Sequence, residues 1–333
     1  MAADRSFAGL LRAWLTVYLP TTRGSSANTV AAYRDAFVLL LRYFQDRCGR
    51  PPERVQMDDL NPRAVNEFLT WLADTRHASA ATRNQRLAAV KSFLRYAQSQ
   101  APEHIAVAGP VLALKPARSP EPVVAYLTVH AVKLILAQAK RSSLRDLALL
   151  TLLYDTGARV QEVCDLSIGD LRTNKPVTVT LTGKGRKTRT VPLTGQAAAI
   201  VVSHAATLDG RPAKTPLFEN RDGRRIGRAG ISWILQDAVT RARAGHEDEI
   251  PQKATPHQLR HSKAVHLLEN GVNLVYIRDL LGHASVTTTE RYAKASPEMK
   301  RKAIESASAG IVTETIYDPG TRQDLLTWLR QTL

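Results

Sequence analysis

The sequence predicts a mainly α-helical protein of two domains, the second of which contains one small β-hairpin. The chain has 333 residues, a length typical of about two domains. Apolar residues recur at helical spacing through most of the chain. One segment, PVTVTLTGKGRKTRTVPL, instead alternates apolar and polar residues at the two-residue period of a strand, on either side of a glycine-containing turn.

Residues 1–112 predict a compact bundle of helices. Proline stops a helix, Ser, Thr, Asp and Asn cap its start, and Gly often follows its end. These signals predict four helices: one from Phe7 to Tyr18 that stops at Pro20, one capped by Asn28 and ended by Gly49, one with Pro62 near its first position, and one that begins near Ser79.

Basic side chains lie between the apolar positions of this bundle. They predict a DNA-binding face, and an ordinary solvated surface is the alternative. The residues of this predicted face are Arg76, Arg83, Arg86, Lys91 and Arg95.

A proline-rich segment separates two halves of different character. Residues 113–122, ALKPARSPEP, contain three prolines and little apolar content, which predicts a linker. The second domain is expected to cover 123–300, and 301–333 to form a C-terminal tail.

The second domain is predicted to be helical around its hairpin. Leu144 to Tyr154 is almost wholly apolar, which predicts a helix buried on most sides and ended by Gly157. Gly271 and Gly282 stand where helix C-terminal glycines belong. The other predicted elements are a helix capped by Thr128, a short helix in ARVQEVCDL, a hairpin with its turn at GKGR, and helices at 230–244, 257–270, 272–281 and 286–294.

The charge of the chain is strongly basic. Lys and Arg total 46 against 30 Asp and Glu, a formal charge of +16 and a pI near 10.1. Such a charge favours a polyanionic partner, most commonly nucleic acid, with a membrane surface or an anionic protein as the alternatives.

The two cysteines, Cys48 and Cys164, form no CxxC pair. Neither a disulfide framework nor a zinc site is expected, and a reducing cytoplasm fits. Cys164 is interpreted as a small core residue. The N-terminus lacks the layout of a signal peptide, and no apolar run approaches the ~18–20 residues that cross a bilayer. We therefore expect a soluble, cytoplasmic protein without a membrane partner.

Cleavage of a phosphodiester requires a nucleophile, cations on the non-bridging oxygens, an acid for the leaving oxygen and a group that takes the proton of the nucleophile. A metal often supplies several of these functions. The sequence contains no carboxylate cluster and no HExxH motif. The hypothesis is therefore a site without metal or cofactor, in which side chains perform each function.

Candidate side chains for these functions occur in the second half. Arg159 begins a short helix, and His257 and Arg260 are spaced to share one helical face. A guanidinium offers a planar fork that matches two phosphate oxygens. Lys184 stands at the hairpin turn, and His283 follows the glycine that ends a predicted helix.

In this order, and with Tyr292 nine residues after His283, these residues resemble the catalytic set of the tyrosine recombinases, also called the lambda-integrase family. The motifs that carry the resemblance are GARVQEV, TGKGRKTRTVPL, TPHQLRHSKAVHLLENG and IRDLLGHASVTTTERY. The resemblance extends from about residue 8 to 300. It implies a helical, SAM-like core-binding domain and an α+β catalytic domain that together form a C-shaped clamp on DNA.

The resemblance also implies the role of each residue. Tyr292 attacks the scissile phosphate and becomes joined to the 3′ phosphate, which frees a 5′ hydroxyl. Religation then needs neither ATP nor a divalent metal. The implied roles of the others are phosphate binding by Arg159, Arg260 and His283, general acid catalysis by Lys184, and transfer of the tyrosine proton by His257.

Neighbouring residues are assigned supporting roles. Glu162 is interpreted as a support for Arg159, three residues before it, and His261 as either supporting or structural. Arg186 and Lys187 are expected to contact DNA. They are also the alternatives to Lys184, because hairpin register can slip by a residue.

The resemblance implies a homotetramer that acts on two double-stranded DNA sites, with an accessory recombinase or a DNA-bending protein as further candidate partners at the bacterial nucleoid. The tail contains QDLLTWLRQTL, an amphipathic helix expected to dock on a neighbouring subunit, with its own domain as the alternative. Integration, excision or transposition of a mobile element is the first expected role. The alternatives are resolution of chromosome or plasmid dimers, relaxation of supercoils, and DNA binding without catalysis.

Overall fold

The computed structural model describes residues 4–118 and 125–283. The chain divides into two compact units, Met1–Pro122 and Val123–Leu333, so the division falls at the end of the proline-rich segment. Each unit has its own hydrophobic core. Among the helices of the described ranges, none is long and apolar enough to cross a membrane.

The regular secondary structure of the first unit, in its described residues, is all helical. Its helices are α1 (Phe7–Ala13), which continues as a π-helical segment (Trp14–Thr22), α2 (Ala27–Cys48), α3 (Pro62–Arg76), α4 (Ala80–Gln100) and α5 (Ile105–Ala113), with 3₁₀ turns at Pro52–Arg54, Met57–Asp59 and Pro102–His104.

Two helix limits differ from the prediction. Pro20 does not stop the first helix, because it lies inside the π-helical segment, which ends at Thr22. The side chain of Leu19, next to it, is fully buried, and this burial outweighs the one hydrogen bond that proline cannot donate. Ser26, and not Asn28, caps α2, because the Ser26 hydroxyl accepts from the Thr29 amide at 3.3 Å.

The apolar stripes of these helices meet in an aromatic core. The ring centroid of Phe93 lies 5.1 Å from that of Phe37, 5.5 Å from that of Trp14 and 5.7 Å from that of Phe7, all in edge contacts. Such edge-to-face pairs add to the free energy of apolar burial. The first unit is therefore held by the side chains whose helical spacing predicted it.

The second unit combines a small sheet with helices. Its elements in chain order are α6 (Val129–Ser142), α7 (Leu144–Thr156), α8 (Val160–Cys164), β1 (Leu171–Arg172), β2 (Thr178–Thr182), β3 (Thr188–Pro192), α9 (Gly195–Ala206), α10 (Arg228–Arg243), α11 (Pro256–Glu269) and α12 (Leu274–Leu281), with 3₁₀ turns at Ile168–Asp170 and Lys184–Arg186.

The predicted hairpin is confirmed, and a third strand extends it. The sheet is antiparallel in the order β1-β2-β3, with Val179 opposite Val191 and Leu181 opposite Arg189. Neither β1 nor α9 was predicted. A strand of two residues shows no period, and α9 begins without a side-chain cap.

The predicted buried helix is α7, which packs against α6, α9 and α11. Its C-terminal residue Thr156 is fully buried, and Gly157 ends it in the left-handed conformation at φ 57°. The end of α7 therefore lies inside the unit. Cys164 is also buried, as predicted.

Replacing Gly157 by alanine is expected to destabilise the second unit. A Cβ at this position would lie 2.6 Å from Leu281 Cδ2, so a steric cost of roughly 1–3 kcal/mol adds to about 1–2 kcal/mol of left-handed backbone strain. The control is Gly271→Ala, because Gly271 has φ 79° but open space around it. Native-state hydrogen exchange of the α7 amides measures the loss of stability in both variants. Equal losses of protection would contradict the packing argument.

Candidate active site

The site is built around the C-terminal turn of α12. A helix end leaves its last carbonyl oxygens without intrahelical partners. Here three successive carbonyls each accept from a different arginine: that of Leu280 from Arg189 Nε at 2.8 Å, that of Leu281 from Arg260 Nη2 at 2.6 Å, and that of Gly282 from Arg159 Nη2 at 3.1 Å. The turn therefore brings together arginines from three separate elements.

Arg260 joins two helix ends. It lies on α11, which begins at Pro256 after the cap Thr255, and only 1% of its surface is exposed. Besides its bond to α12, its Nη1 donates to the Gly157 carbonyl at 2.7 Å. A buried guanidinium needs such acceptors. Its position is thus fixed by the C-terminal ends of α7 and α12.

Arg159 stands at the N-cap position of α8, with 39% of its side chain exposed. Its backbone amide donates to Glu162 Oε2 at 2.8 Å, and its Nη1 donates to Glu162 Oε1 at 2.8 Å. The predicted support of Arg159 by Glu162 is therefore present in the geometry. The exposed part of the guanidinium borders a cleft.

Arg189 belongs to this cluster, although it was not among the residues predicted from the sequence. It donates to both carboxylate oxygens of Glu162, at 3.0 and 2.7 Å, in a bidentate pair. Only 13% of its side chain is exposed. The signal was available, because Arg189 shares the inward face of β3 with Val191, where an unpaired charge would be costly.

Glu162 is a buried carboxylate that stays ionised. Burial by itself raises its pKa, but hydrogen bonds from Arg189 and from the Arg159 amide outweigh burial and lower the pKa to about 2. At neutral pH Glu162 is therefore a negative side chain between two positive ones, Arg159 and Arg189.

The hairpin turn closes one side of the cleft. Lys184 begins the 3₁₀ turn, Gly185 has φ 74° and Arg186 has φ 57°, and the turn is closed by a bond from the Gly183 amide to the Lys187 carbonyl at 2.8 Å. The Lys184 side chain lies outside what the structure describes. Arg186 and Lys187 are exposed, as contacts with DNA require.

The predicted histidines lie on two elements. His257 and His261 on α11 make an edge contact with ring centroids 4.1 Å apart, and His257 is exposed. His283 follows Gly282, and its amide donates to the Arg278 carbonyl at 3.0 Å. Burial, followed by the charges of Arg260 and Arg159, lowers the pKa of His283 to about 4. His283 is therefore a neutral imidazole at pH 7.

The cleft between the hairpin and α12 has a volume of about 560 Å³. Arginine and lysine side chains face it together with His283, so it suits an anionic group of DNA-backbone size. Its lining residues are Arg159, Gly183, Lys187, Thr188, Arg189, Arg278, Asp279, Gly282 and His283. Arg260, His257 and His261 are not among them.

Tyr292, the predicted helix at 286–294 and the tail at 301–333 lie outside the described residues. In residues 4–118 and 125–283, no three His, Cys, Asp or Glu side chains are grouped so that they could hold a metal ion.

The predicted DNA-binding face of the first unit is only partly exposed. Arg76 and Arg95 are exposed, whereas Arg83 and Arg86 are half-buried. Arg86 Nη1 donates to the Ala32 carbonyl at 3.0 Å.

Lys91 differs most from the prediction for this face. Its ammonium donates to the Leu112 carbonyl at 2.9 Å and to that of Leu114, and burial lowers its pKa. Lys91 thus joins α4 to the end of α5 instead of extending into solvent.

Comparison with known families adds to this geometry. Residues 125–299 match the model of the phage integrase family, and residues 13–101 match that of the phage integrase N-terminal SAM-like domain. The first match covers more than half of the chain. This chain belongs to the phage integrase family of tyrosine recombinases. Members of the family are site-specific DNA recombinases that cleave and rejoin DNA. The predicted family and fold class are thereby confirmed.

Curated relatives align with this recombinase over most of their length. The tyrosine recombinase XerC of Rhodospirillum centenum is 34% identical, with 87% of this chain and 84% of the relative covered. XerC of Rhizobium meliloti is 35% identical, with 84% and 87% covered. A Sinorhizobium fredii protein named as an integrase/recombinase, y4rC, is 32% identical, with 92% and 93% covered.

Solved structures share the fold of this recombinase. A Tn1549 transposon integrase in complex with transposon right end DNA has a TM-score of 0.69 at 19% identity, with 88% of this chain and 98% of that chain covered. The XerH site-specific recombinase bound to a palindromic difH substrate has a TM-score of 0.68 at 20% identity, with 92% and 85% covered.

The pKa of His283 predicts a loss of stability in acid. The unfolded chain binds this proton near pH 6.5, whereas the folded chain binds it only near pH 4. Between these values the unfolded state holds more protons, so the free energy of unfolding decreases as the pH is lowered from about 6.5 to about 4. Arg260, Arg159, His261 and Arg189 oppose this protonation.

Urea titrations of the parent and of His283→Gln between pH 8 and 4 measure this effect. The pH slope of the variant should be smaller below pH 6.5. It should not vanish, because burial also lowers the pKa of His204 and His266. Identical slopes would show that His283 is protonated equally easily in both states.

Proposed function

We propose that this recombinase breaks one DNA strand with Tyr292 and rejoins it to a new partner during integration, excision or transposition of a mobile element. One observation carries the proposal. Arg159, Arg189 and Arg260 converge on the end of α12, and in the sequence Tyr292 follows nine residues after His283, the residue next to that helix end.

In the proposed cleavage step, Tyr292 Oη forms a bond to phosphorus and the bond from phosphorus to O5′ breaks. Arg159 and Arg260 neutralise the charge that grows on the non-bridging oxygens, where fixed cations in a dry site have their largest effect. His283, neutral at pH 7, donates a hydrogen bond to one of these oxygens. The product is a 3′-phosphotyrosyl bond and a free 5′ hydroxyl.

Two proton transfers accompany this step. His257 accepts the proton of Tyr292, and Lys184 donates a proton to the leaving O5′. The exposure of His257 and the position of Lys184 in the hairpin turn support these assignments. Religation reverses both transfers, so the energy of the phosphodiester is retained.

We further propose that four copies assemble on two DNA sites, because one tyrosine opens only one strand and exchange between duplexes requires four cuts. The tail at 318–333 is proposed to dock on a neighbouring subunit within this assembly. Resolution of chromosome or plasmid dimers is the second candidate function. It is favoured by identities of 31–35% to proteins named XerC.

The phenylalanine variant of Tyr292 tests the chemistry. The probe is a pool of nicked duplexes with randomised half-sites, in which cleavage releases a short fragment and traps the protein on DNA. The parent should form an adduct that survives denaturation, and Tyr292→Phe should form none, because it lacks the attacking oxygen. The control is Tyr276→Phe, since Tyr276 on α12 is 71% exposed. An adduct with Tyr292→Phe would refute the proposed nucleophile.

A DNA substrate with a sulfur leaving group distinguishes Lys184 from Lys187 as the general acid. Lys184→Ala should slow cleavage of the trapped duplex by about 10²–10⁴-fold, as expected for loss of a general acid. A duplex with sulfur in place of the scissile O5′ should restore the rate, because a thiolate leaves without a proton. Lys187→Ala is the control. Rescue of Lys187→Ala alone would move the role to Lys187, and rescue of neither would exclude an acid on the hairpin.

A further inference from the structure

The ion pair between Glu162 and Arg189 determines the net charge beside the cleft. A buried carboxylate needs a cation nearby, and Glu162 has two. If Arg159 were its sole partner, the pair would be neutral and would offer a phosphate no net charge. With Arg189 present, the three side chains together carry one positive charge.

The geometry shows which arginine serves the carboxylate. Arg189 binds Glu162 with two guanidinium nitrogens, whereas Arg159 contributes one guanidinium nitrogen and its backbone amide. Arg189 is 13% exposed and Arg159 is 39% exposed. Arg189 is therefore the principal counterion, and the charge of Arg159 remains directed toward the cleft.

The cluster is also tightly packed against glycine. A Cβ on Gly282 would lie 2.9 Å from Arg189 Nη1, and a Cβ on Gly183 would lie 3.0 Å from Glu162 Oε1. Gly282 additionally has φ 61°. Both glycines allow the ion pair to lie against backbone, where little water weakens it.

Arg189 also connects the two sides of the cleft, the hairpin and the end of α12. It belongs to β3, which leads directly from the turn that begins at Lys184, and its Nε donates to the Leu280 carbonyl on α12 at 2.8 Å. His283 lies three residues after that carbonyl. Arg189 thus fixes the hairpin relative to the α12 end.

We propose that Arg189 is a positioning residue of this recombinase, which neutralises Glu162 so that Arg159 retains its charge for the scissile phosphate and which holds the hairpin against α12. This inference rests on the proposed function, because it takes the cleft to be the phosphate site. Arg189 acts through Glu162 and Arg159, and the phosphate is bound by others.

A double-variant cycle tests the charge argument. The variants are Arg189→Gln, Glu162→Gln and the two combined. The readouts are the single-turnover rate of adduct formation on a duplex captured from the randomised pool, and the Kd of the same intact duplex. Arg189→Gln should slow cleavage by about 10²-fold, the effect of losing one transition-state cation, with Kd changed less than about threefold because other contacts to the backbone dominate binding.

Removal of the carboxylate should then restore activity. In the combined variant, nothing competes with phosphate for Arg159, so cleavage should recover about tenfold over Arg189→Gln alone, a coupling expected of residues in contact. Arg189→Lys should cleave little faster than Arg189→Gln, since an ammonium cannot form the bidentate pair. The matched control is Arg172→Gln, which removes an exposed arginine from β1 of the same sheet and should leave the rate unchanged.

Two outcomes would overturn the inference. A combined variant as slow as Arg189→Gln, or slower, would mean that Arg189 contacts the phosphate or serves only to hold the fold. A rise in Kd that matches the loss of rate would mean that Arg189 binds DNA. The proposed function fails by a different result, because it is refuted if Tyr292→Phe still forms an adduct. If Arg189→Gln does not fold, a folded combined variant with measurable cleavage still supports the charge argument, and an unfolded one contradicts it.

Discussion

The last turn of α12 is the constraint on which the site depends. A helix end presents carbonyl oxygens and the negative end of its dipole, and both attract cations. In most helices water or a single side chain satisfies these groups. Here Arg159, Arg189 and Arg260 satisfy three of them, so the helix end serves as a template for guanidinium groups from α8, β3 and α11. A phosphate site needs cations close together, and cations repel one another. The carbonyls reduce that repulsion without removing the charge.

Glu162 also reduces the repulsion among the arginines, with a full negative charge, but this has a disadvantage. A buried carboxylate lowers the repulsion among the arginines, but it also competes with phosphate for them. Two features of the structure limit this competition: the number of arginines and their difference in burial. Two guanidinium groups serve one carboxylate, and the more buried of them, Arg189, takes the bidentate position. The charge that faces the cleft is therefore the part of Arg159 that Glu162 does not neutralise. Without Arg189, Glu162 would neutralise Arg159; with Arg189 present, Glu162 orients Arg159 and leaves part of its charge to the cleft.

Local periodicity explains which features could be predicted from the sequence. The hairpin, α7 and most helices of the first unit were predictable, because their apolar residues follow one period over many positions. The helix stop predicted at Pro20 was wrong, since burial of Leu19 decides the environment there. The contact of Lys91 with carbonyls at the end of α5 could not be predicted from charge alone. Arg189 was missed for a related reason. Its partners lie 27 and 91 residues away, and only its place on the inward face of a strand indicated a buried charge.

Distance along the chain also governs when the site can exist. The bond between Arg159 and Gly282 spans 123 residues, and that between Arg260 and Gly157 spans 103. Closing loops of this length costs conformational entropy that only the completed core can offset. No part of the second unit can therefore hold the arginine cluster before α7, β3, α11 and α12 are packed together. The burial that follows gives His283 its low pKa and Arg260 its fixed position. The proposed phosphate binding and the stability of this unit thus depend on the same packing.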